Sequence, residues 1–172
     1  MKTLYMLLIA TAIAAVGCGK KDVYVDSQGN KVTVERGSND VKIQTKDGSY
    51  EATNDGKSVT MKTDSGTVSM NSGVKVTEDD LGAPFYPGSE DNGQSQNMEV
   101  NGKKTFISMR TTSDSPEKVI EFYKAKLTGV ESSSNVQGFS MITAKVGNRR
   151  IMVQASNDGG KTTINTTNTP AD

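Results

Sequence analysis

Histidine and tryptophan are absent from this 172-residue chain, and cysteine occurs once. Without histidine the commonest general base near neutral pH is missing, and the usual Ser–His–Asp triads go with it. Zinc sites built on histidine or several cysteines are excluded too. A lone cysteine closes no disulfide within the chain, so the fold has to hold by burial and backbone pairing. Basic and acidic residues number 20 each, leaving no positive excess to favour nucleic acid. Carboxylates, Lys, Tyr, Ser and Thr are all that remain for chemistry. The composition therefore predicts a protein that is not an enzyme and uses no cofactor and no metal.

Long apolar runs are scarce as well, with one exception. Behind Lys2, residues Leu4 to Val16 are broken only by Thr11, and Ala15-Val16-Gly17 lead into Cys18. Thirteen residues are too few to cross a bilayer core, which takes about 20 in a helix. The run fits the apolar region of a secretory signal, with small residues before a cleavage point. This stretch resembles a bacterial lipoprotein signal, whose lipobox ends in a small residue and a cysteine; Ala15 stands where that family usually has Leu. The resemblance implies cleavage before Cys18 and acylation of Cys18, the expected lipidation site. One acyl chain binds a membrane marginally, whereas two or three anchor stably, at about 0.8 kcal/mol per buried methylene. Gly19 stands at a position where Asp tends to retain Gram-negative lipoproteins at the inner membrane, so the resemblance implies the outer membrane if the source is Gram-negative. Lys20 and Lys21 either touch anionic headgroups or simply add solubility.

From Val23 to Val76 the chain keeps a nine-residue beat. Val23, Val32, Val41, Tyr50, Val59 and Val68 hold the first place; Val25, Val34, Ile43, Ala52, Met61 and Met70 hold the third. Apolar residues two apart share one face of a strand, and the rest of each unit is rich in turn-forming Gly, Asn, Asp and Ser. The beat predicts six strand-and-turn units, either as an antiparallel meander with hairpins at Asp47-Gly48 and Asp55-Gly56 or as a narrow parallel coil. The glycines fall at varying places in the unit, which favours the meander. No unit carries a calcium-binding nonapeptide or an EF-hand spacing, so Asp47, Asp55 and Asp64 read as turn formers and the module as a spacer.

Residues 77–96 read as a Pro/Gly linker. Glu78, Asp79 and Asp80 are a solvated acidic run, Pro84 and Pro87 force an extended path, and Phe85 and Tyr86 can dock the segment onto the C-terminal domain. Glu90 to Gln96 reads as a polar loop. Beyond it, residues 97–168 form a small α+β domain. Asn101-Gly102 predicts a hairpin. Ser115 caps a helix with Pro116 at its first position, and Val119, Ile120, Phe122, Tyr123 and Leu127 make its apolar stripe, ended by Gly129. On this reading Phe122→Ala costs about 3–5 kcal/mol. Three strand candidates lie beyond the helix, at Gly138 to Val146, Arg149 to Ser156 and Lys161 to Thr167. The expected class is α+β, mostly β, with a β-β-α-β-β-β antiparallel sheet, one packed helix and a disordered tail at 169–172.

The segment from Pro84 to Ser89, together with Ser115-Pro116-Glu117 and Phe122-Tyr123, resembles a module of uncharacterised bacterial lipoproteins. These combine Asp/Gly-rich β repeats, a Pro-x-Tyr-Pro-Gly-Ala segment and a Ser-Pro-Glu…Phe-Tyr helix; here Ser89 replaces the Ala. The resemblance implies an architecture and no catalytic residues. Two further features bear on binding. Arg149 and Arg150, beside a turn, can clamp a phosphate or carboxylate, or else form a plain basic turn. Met98, Met109, Met141 and Met152 belong either to an adaptable binding surface or, the reading favoured here, to the core. The expected whole is a lipid-anchored envelope protein with signal residues 1–17, lipidated Cys18 and linker 18–22, repeats 23–76, and an α+β head. It would contact the membrane through acyl chains on Cys18, bind or scaffold an envelope protein, and leave nucleic acid alone. The alternative is a structural or adhesin-like surface protein acting through its repeats.

Overall fold

The nine-residue beat folds as a meander of six strands: β1 (Lys21–Val25), β2 (Lys31–Arg36), β3 (Val41–Thr45), β4 (Gly48–Thr53), β5 (Ser58–Thr63) and β6 (Gly66–Ser72). The computed structural model describes residues 21–25, 31–36, 41–45, 47–53 and 56–171; the leader and Cys18 lie outside them. Each repeat strand pairs antiparallel with the next, so the narrow coil does not form. The varying glycine positions have a plain cause. Two-residue turns follow Thr45 and Thr63, with Gly48 and Gly66 opening the next strand, whereas Gly56 sits in a longer connection at the other end of the sheet. At each two-residue turn a threonine hydroxyl accepts from the turn backbone, Asp47 N to Thr45 and Ser65 N to Thr63, both at 3.2 Å. In β3–β4 and β5–β6 the structural unit is thus a hairpin of two nonapeptides.

The edge strand departs from the beat. Val23 stands opposite Thr33, and Tyr24 opposite Val32, a slip of one residue from the register that would match apolar to apolar. Because side chains alternate, such a slip turns a whole strand over. Val23 and Val25 end up 50% and 68% exposed.

The sheet does not stop where the beat stops. After β6 come α1 (Glu78–Leu81), β7 (Glu90–Asp91), β8 (Gln96–Val100) and β9 (Lys103–Thr112), then α2 (Pro116–Lys126), β10 (Val130–Val136), β11 (Phe139–Val146), β12 (Arg149–Asp158) and β13 (Lys161–Pro170). β6 pairs with β8, and the order runs β1-β2-β3-β4-β5-β6-β8-β9-β13-β12-β11-β10 in one antiparallel sheet, with β7 beside β9. The class is α+β and mostly β. The strand count after the helix is four rather than three, because β10, all seven residues exposed, carries no apolar alternation to announce it. Ordered pairing also runs past residue 168, with Pro170 opposite Arg149 and Ala171 N donating to Asn148 O at 2.8 Å. Residues 169 and 170 of the expected disordered tail are therefore strand, and residue 172 lies outside the described residues. The threonines and asparagines of β13 alternate regularly between buried and half-buried places.

The hairpin β8–β9 turns at Asn101 (φ 50) and Gly102 (φ 81), both positive as the two-residue turn requires. Asn101 also latches the repeats to the head: its Oδ1 accepts from Thr67 N at 2.8 Å, and its own N donates to Thr67 O at 2.9 Å. The amide packs where a side chain on Gly66 would sit, with a Cβ there only 1.9 Å from Asn101 Oδ1.

The core lies under the two helices, on one face of the C-terminal strands. Val119, Ile120 and Tyr123 of α2 and Leu81 of α1 join Ile142, Ala144, Ile151, Val153, Ala155 and Ile164 of the sheet, all fully or almost fully buried. Helix α2 begins at the expected cap, with Ser115 Oγ accepting from Lys118 N. Phe122 falls on its flank, half-buried, edge-on to Tyr86 (5.3 Å between centroids) and to Tyr123 (5.1 Å). Residues 77–96 are not a solvated linker. Thr77 and Asp80 form a capping box around α1, Leu81, Ala83 and Tyr86 enter the core, and Ser89 and Ser95 are buried. β7 pairs Glu90 and Asp91 with Thr111 and Arg110. The segment is short and polar, but its few apolar side chains cover the sheet beside α2.

Candidate functional site

Alternation in an antiparallel sheet places directly opposed residues on the same face, so the register shows which side each apolar row occupies. Val41, Ala52, Val59, Met70 and Met98 stand opposite one another in sequence, and so do Ile43, Tyr50, Met61, Val68 and Val100. Met98 opposes Thr105 of β9, whose neighbours Phe106, Ser108 and Thr112 point to the helices. The two apolar rows thus lie on the side away from α1 and α2. The helix side of the repeats is polar instead, with Asn97, Asn71, Ser69, Thr60, Glu51 and Lys42 along it. Across β8 and β9 the apolar face of the sheet changes sides.

Nothing among the described residues covers those rows. Met61, Val68, Met70 and Val100 are each 36–38% exposed, which is high for residues at the middle of a sheet. Ile107 and Met109 of β9 continue the same face; β13 then interrupts it with Thr163, Asn165 and Thr167, and Met152 of β12 and Met141 of β11 lie beyond that polar strand, with Gln154 between them. The core placement expected for Met98, Met109, Met141 and Met152 is therefore corrected: none belongs to the buried cluster, and all four are half-buried on the open side. Even spacing in a strand marks a face without saying which face is covered, and that is why the sequence alone misplaced them.

The arginine pair is separated by the same rule. Arg149 points to the helix side, where Nε donates to Asn168 Oδ1 and Nη2 to Lys104 O, both at 2.8 Å. Asn168 Nδ2 in turn donates to Asp80 O at 2.9 Å, so Arg149 ties the β12–β13 hairpin, the β9 start and α1 together. Arg150 points to the open side and meets Glu131 at 3.5 Å. Adjacent strand residues on opposite faces cannot close on one anion. Arg149 does line a cleft of about 320 Å³ with Asp79, Asp80, Phe106 and Asn168, but its guanidinium is already engaged in holding the walls. Of the turn aspartates, Asp47 and Asp64 sit at hairpin tips and Asp55 lies outside the described residues. Among the described residues no three His, Cys, Asp or Glu side chains converge as metal ligands, and no helix is long and apolar enough to cross a membrane.

At the start of α2 the Ser115 hydrogen bond holds the Glu117 carboxyl below its usual range, and a second set of shifted groups fastens the 77–96 segment. Tyr86 donates its hydroxyl to Asp114 Oδ2 at 2.7 Å, and Lys118 Nζ reaches Asp114 Oδ1 at 3.2 Å. Burial, followed by the bond to Asp114, pushes the Tyr86 phenol up to about 12. The Tyr86 bond, and then Lys118, hold the Asp114 carboxyl below the usual carboxylate range. A carboxylate held low stabilises the fold fully above its unfolded value, about 4, and loses that contribution as pH falls through its folded value. Urea unfolding at pH 7, 4 and 2.5 should show Asp114→Asn losing stability less steeply than the native chain below pH 4. Equal slopes would remove Asp114 from the acid transition. Nearby, Arg110 Nε donates to Ser89 Oγ at 2.8 Å, and its guanidinium lies 4.2 Å from the Phe85 ring centre. These contacts fasten the segment; among the described residues the open face is the one extended apolar feature that no element covers. Compared with protein-family models, curated proteins and solved structures, the chain matches none.

Proposed function

We propose that this chain is a lipid-anchored envelope lipoprotein, tethered through Cys18, that acts without turnover by binding a partner on its open sheet face. The single observation behind the binding role is that face: two rows of five apolar side chains, three of them methionines (Met61, Met70 and Met98), with no described helix over them. Large uncovered apolar patches on proteins mark interaction sites, and methionine suits such surfaces because its flexible thioether adapts to a partner. The anchor rests on the leader, with its thirteen-residue run and small residues before Cys18. Cys18 precedes β1 by three residues, a reach of roughly 10 Å when extended, so lipidation would hold the β1 edge near the bilayer. Strand spacing of about 4.8 Å then carries the helical head roughly 34 Å further along the sheet. The outer membrane, if the cell has one, is the expected location, as Gly19 suggests.

The position of the face on the repeats favours a second reading as well, a structural or adhesin-like surface protein in which the repeats are the working part. Protease added to intact cells separates the two, since a surface protein is cut and a periplasmic one is not. For the proposal itself, membrane fractions and the mass of the N-terminal peptide are decisive. The native chain should sediment with membranes and carry acyl chains on Cys18, and Cys18→Ala should lose both. A Cys18→Ala chain that stays with the membrane would sink the anchor.

A further inference from the structure

We infer that the occupant of the open face is a second copy of this chain, packed sheet on sheet about a twofold axis that runs along the direction of strand stacking. The inference deepens the lipid-anchored, partner-binding reading and rests on it for one of its four arguments.

The first argument is shape. A flat antiparallel face with continuous apolar rows is covered most completely by another sheet, about 10 Å away with interdigitating side chains. The second is size complementarity within each strand. An axis lying between the two rows sets the first-place residue of a strand over the third-place residue of the same strand in the other copy. Ala52 then faces Tyr50, Val59 faces Met61, and Met70 faces Val68. In each of these central pairs a small or branched side chain meets a long one, as close packing requires.

The third argument is area and charge. Six strands, β3 to β6 with β8 and β9, by five residues span roughly 29 Å by 17 Å. Two copies would bury about 1,000 Å² in all, the size at which specific interfaces begin. The two rows hold no carboxylate, lysine or arginine, so the face does not repel its own copy, as an isologous interface demands. The one charge that the register places on this face within the six strands is Lys103, which continues the second row opposite Val100 and under this axis falls over Thr105 of the other copy, away from its own counterpart. The fourth argument is anchoring. This axis leaves both β1 edges at the same end, so both Cys18 residues reach one membrane. Shared anchoring there raises the effective concentration of one copy around the other.

The test is photo-cross-linking in cells from the full chain, with a benzophenone amino acid at position 61 or 70 on the open face and at 60 or 69 on the polar face. Positions 61 and 70 should give a product of twice the chain's mass whose peptides all come from this chain, and positions 60 and 69 should not. With the probe at 70, Val59→Glu alone or Met61→Lys alone should cut that product at least tenfold. Co-expressing the two variants should restore it, because the new charges meet across the axis. Three outcomes overturn the inference: no self-product from the open face, equal self-product from the polar face, or cross-links from 61 and 70 to another protein or to lipid. If fractionation still shows a Cys18-dependent membrane anchor in those cases, this inference fails while the lipid anchor stands.

Discussion

Ile120→Ala should lower the free energy of unfolding by about 2–5 kcal/mol, the range for truncating a fully buried isoleucine. Ile120 is 0% exposed and lies at the centre of the α2 stripe, in the cluster that includes Ile142, Ile151, Val153 and Ile164. Helix α2 covers β11 and β12, so the cavity would open between two rigid layers that cannot easily collapse. Against a total stability of roughly 5–15 kcal/mol for such a domain, this loss is large. Phe122→Ala makes the contrast. From the stripe alone Phe122 carries a core-sized cost, but the structure puts its ring on the flank of α2 beside Tyr86 and under Lys126. It is only partly buried at the edge of the core, and the expected loss is below about 3 kcal/mol. Urea denaturation of both variants checks the order. If Phe122→Ala proved the more damaging, the placement of α2 on the sheet would be wrong by a rotation.

The second large effect is expected at Gly129, between α2 and β10. Its φ of 67 is left-handed, and a Cβ there would lie 2.2 Å from Lys145 O. That oxygen belongs to the backbone of β11 and cannot swing away, since Lys145 N donates to Gly129 O at 2.9 Å. Gly129→Ala therefore combines a left-handed penalty of about 1–2 kcal/mol with a clash that must break the pairing of β10. A total of about 2–4 kcal/mol is expected, in the range of strained backbone sites. Gly147→Ala is the internal control: φ is 59, but nothing lies within 4 Å of the added carbon, so only the conformational part should appear. Equal losses at the two sites, by denaturant unfolding, would show that the contact with Lys145 carries nothing.

Both predictions concern elements that differed in legibility. Helix α2 was readable because three local signals coincide in it: the Ser115 cap, Pro116 behind it, and apolar residues at steps of three and four. The repeat strands were readable because alternation is itself a local property. β10 was not, since Glu131 to Asn135 are polar on both faces and the strand exists only by pairing with β11. The packing of residues 77–96 was half visible. Phe85 and Tyr86 announced a docking segment, and the Thr77–Asp80 capping box of α1 is a local pattern that the sequence carries, but the burial of Ser95 and the Arg110 contact with Ser89 depend on groups brought from distant strands. The candidate site shows the same division. Its methionines stood out in the sequence, yet their face depended on the register carried from β6 through β8 to β9.

By itself, then, the sequence determined the local periods: a nine-residue strand beat, one capped amphipathic helix, the Asn101-Gly102 turn, and the leader pattern that ends at Cys18. It also determined the class, mostly β with a packed helix, because periods of two and of three to four residues specify strand and helix directly. Only the tertiary structure decided that the repeats and the head share one sheet, that Arg149 and Arg150 part company, and that the apolar side of the sheet crosses over between β8 and β9. Alternation tells a strand that it has two faces, while coverage of either face depends on where α1 and α2 come to rest. They rest on the C-terminal half and on one side, and the apolar rows of the repeats are left open on the other.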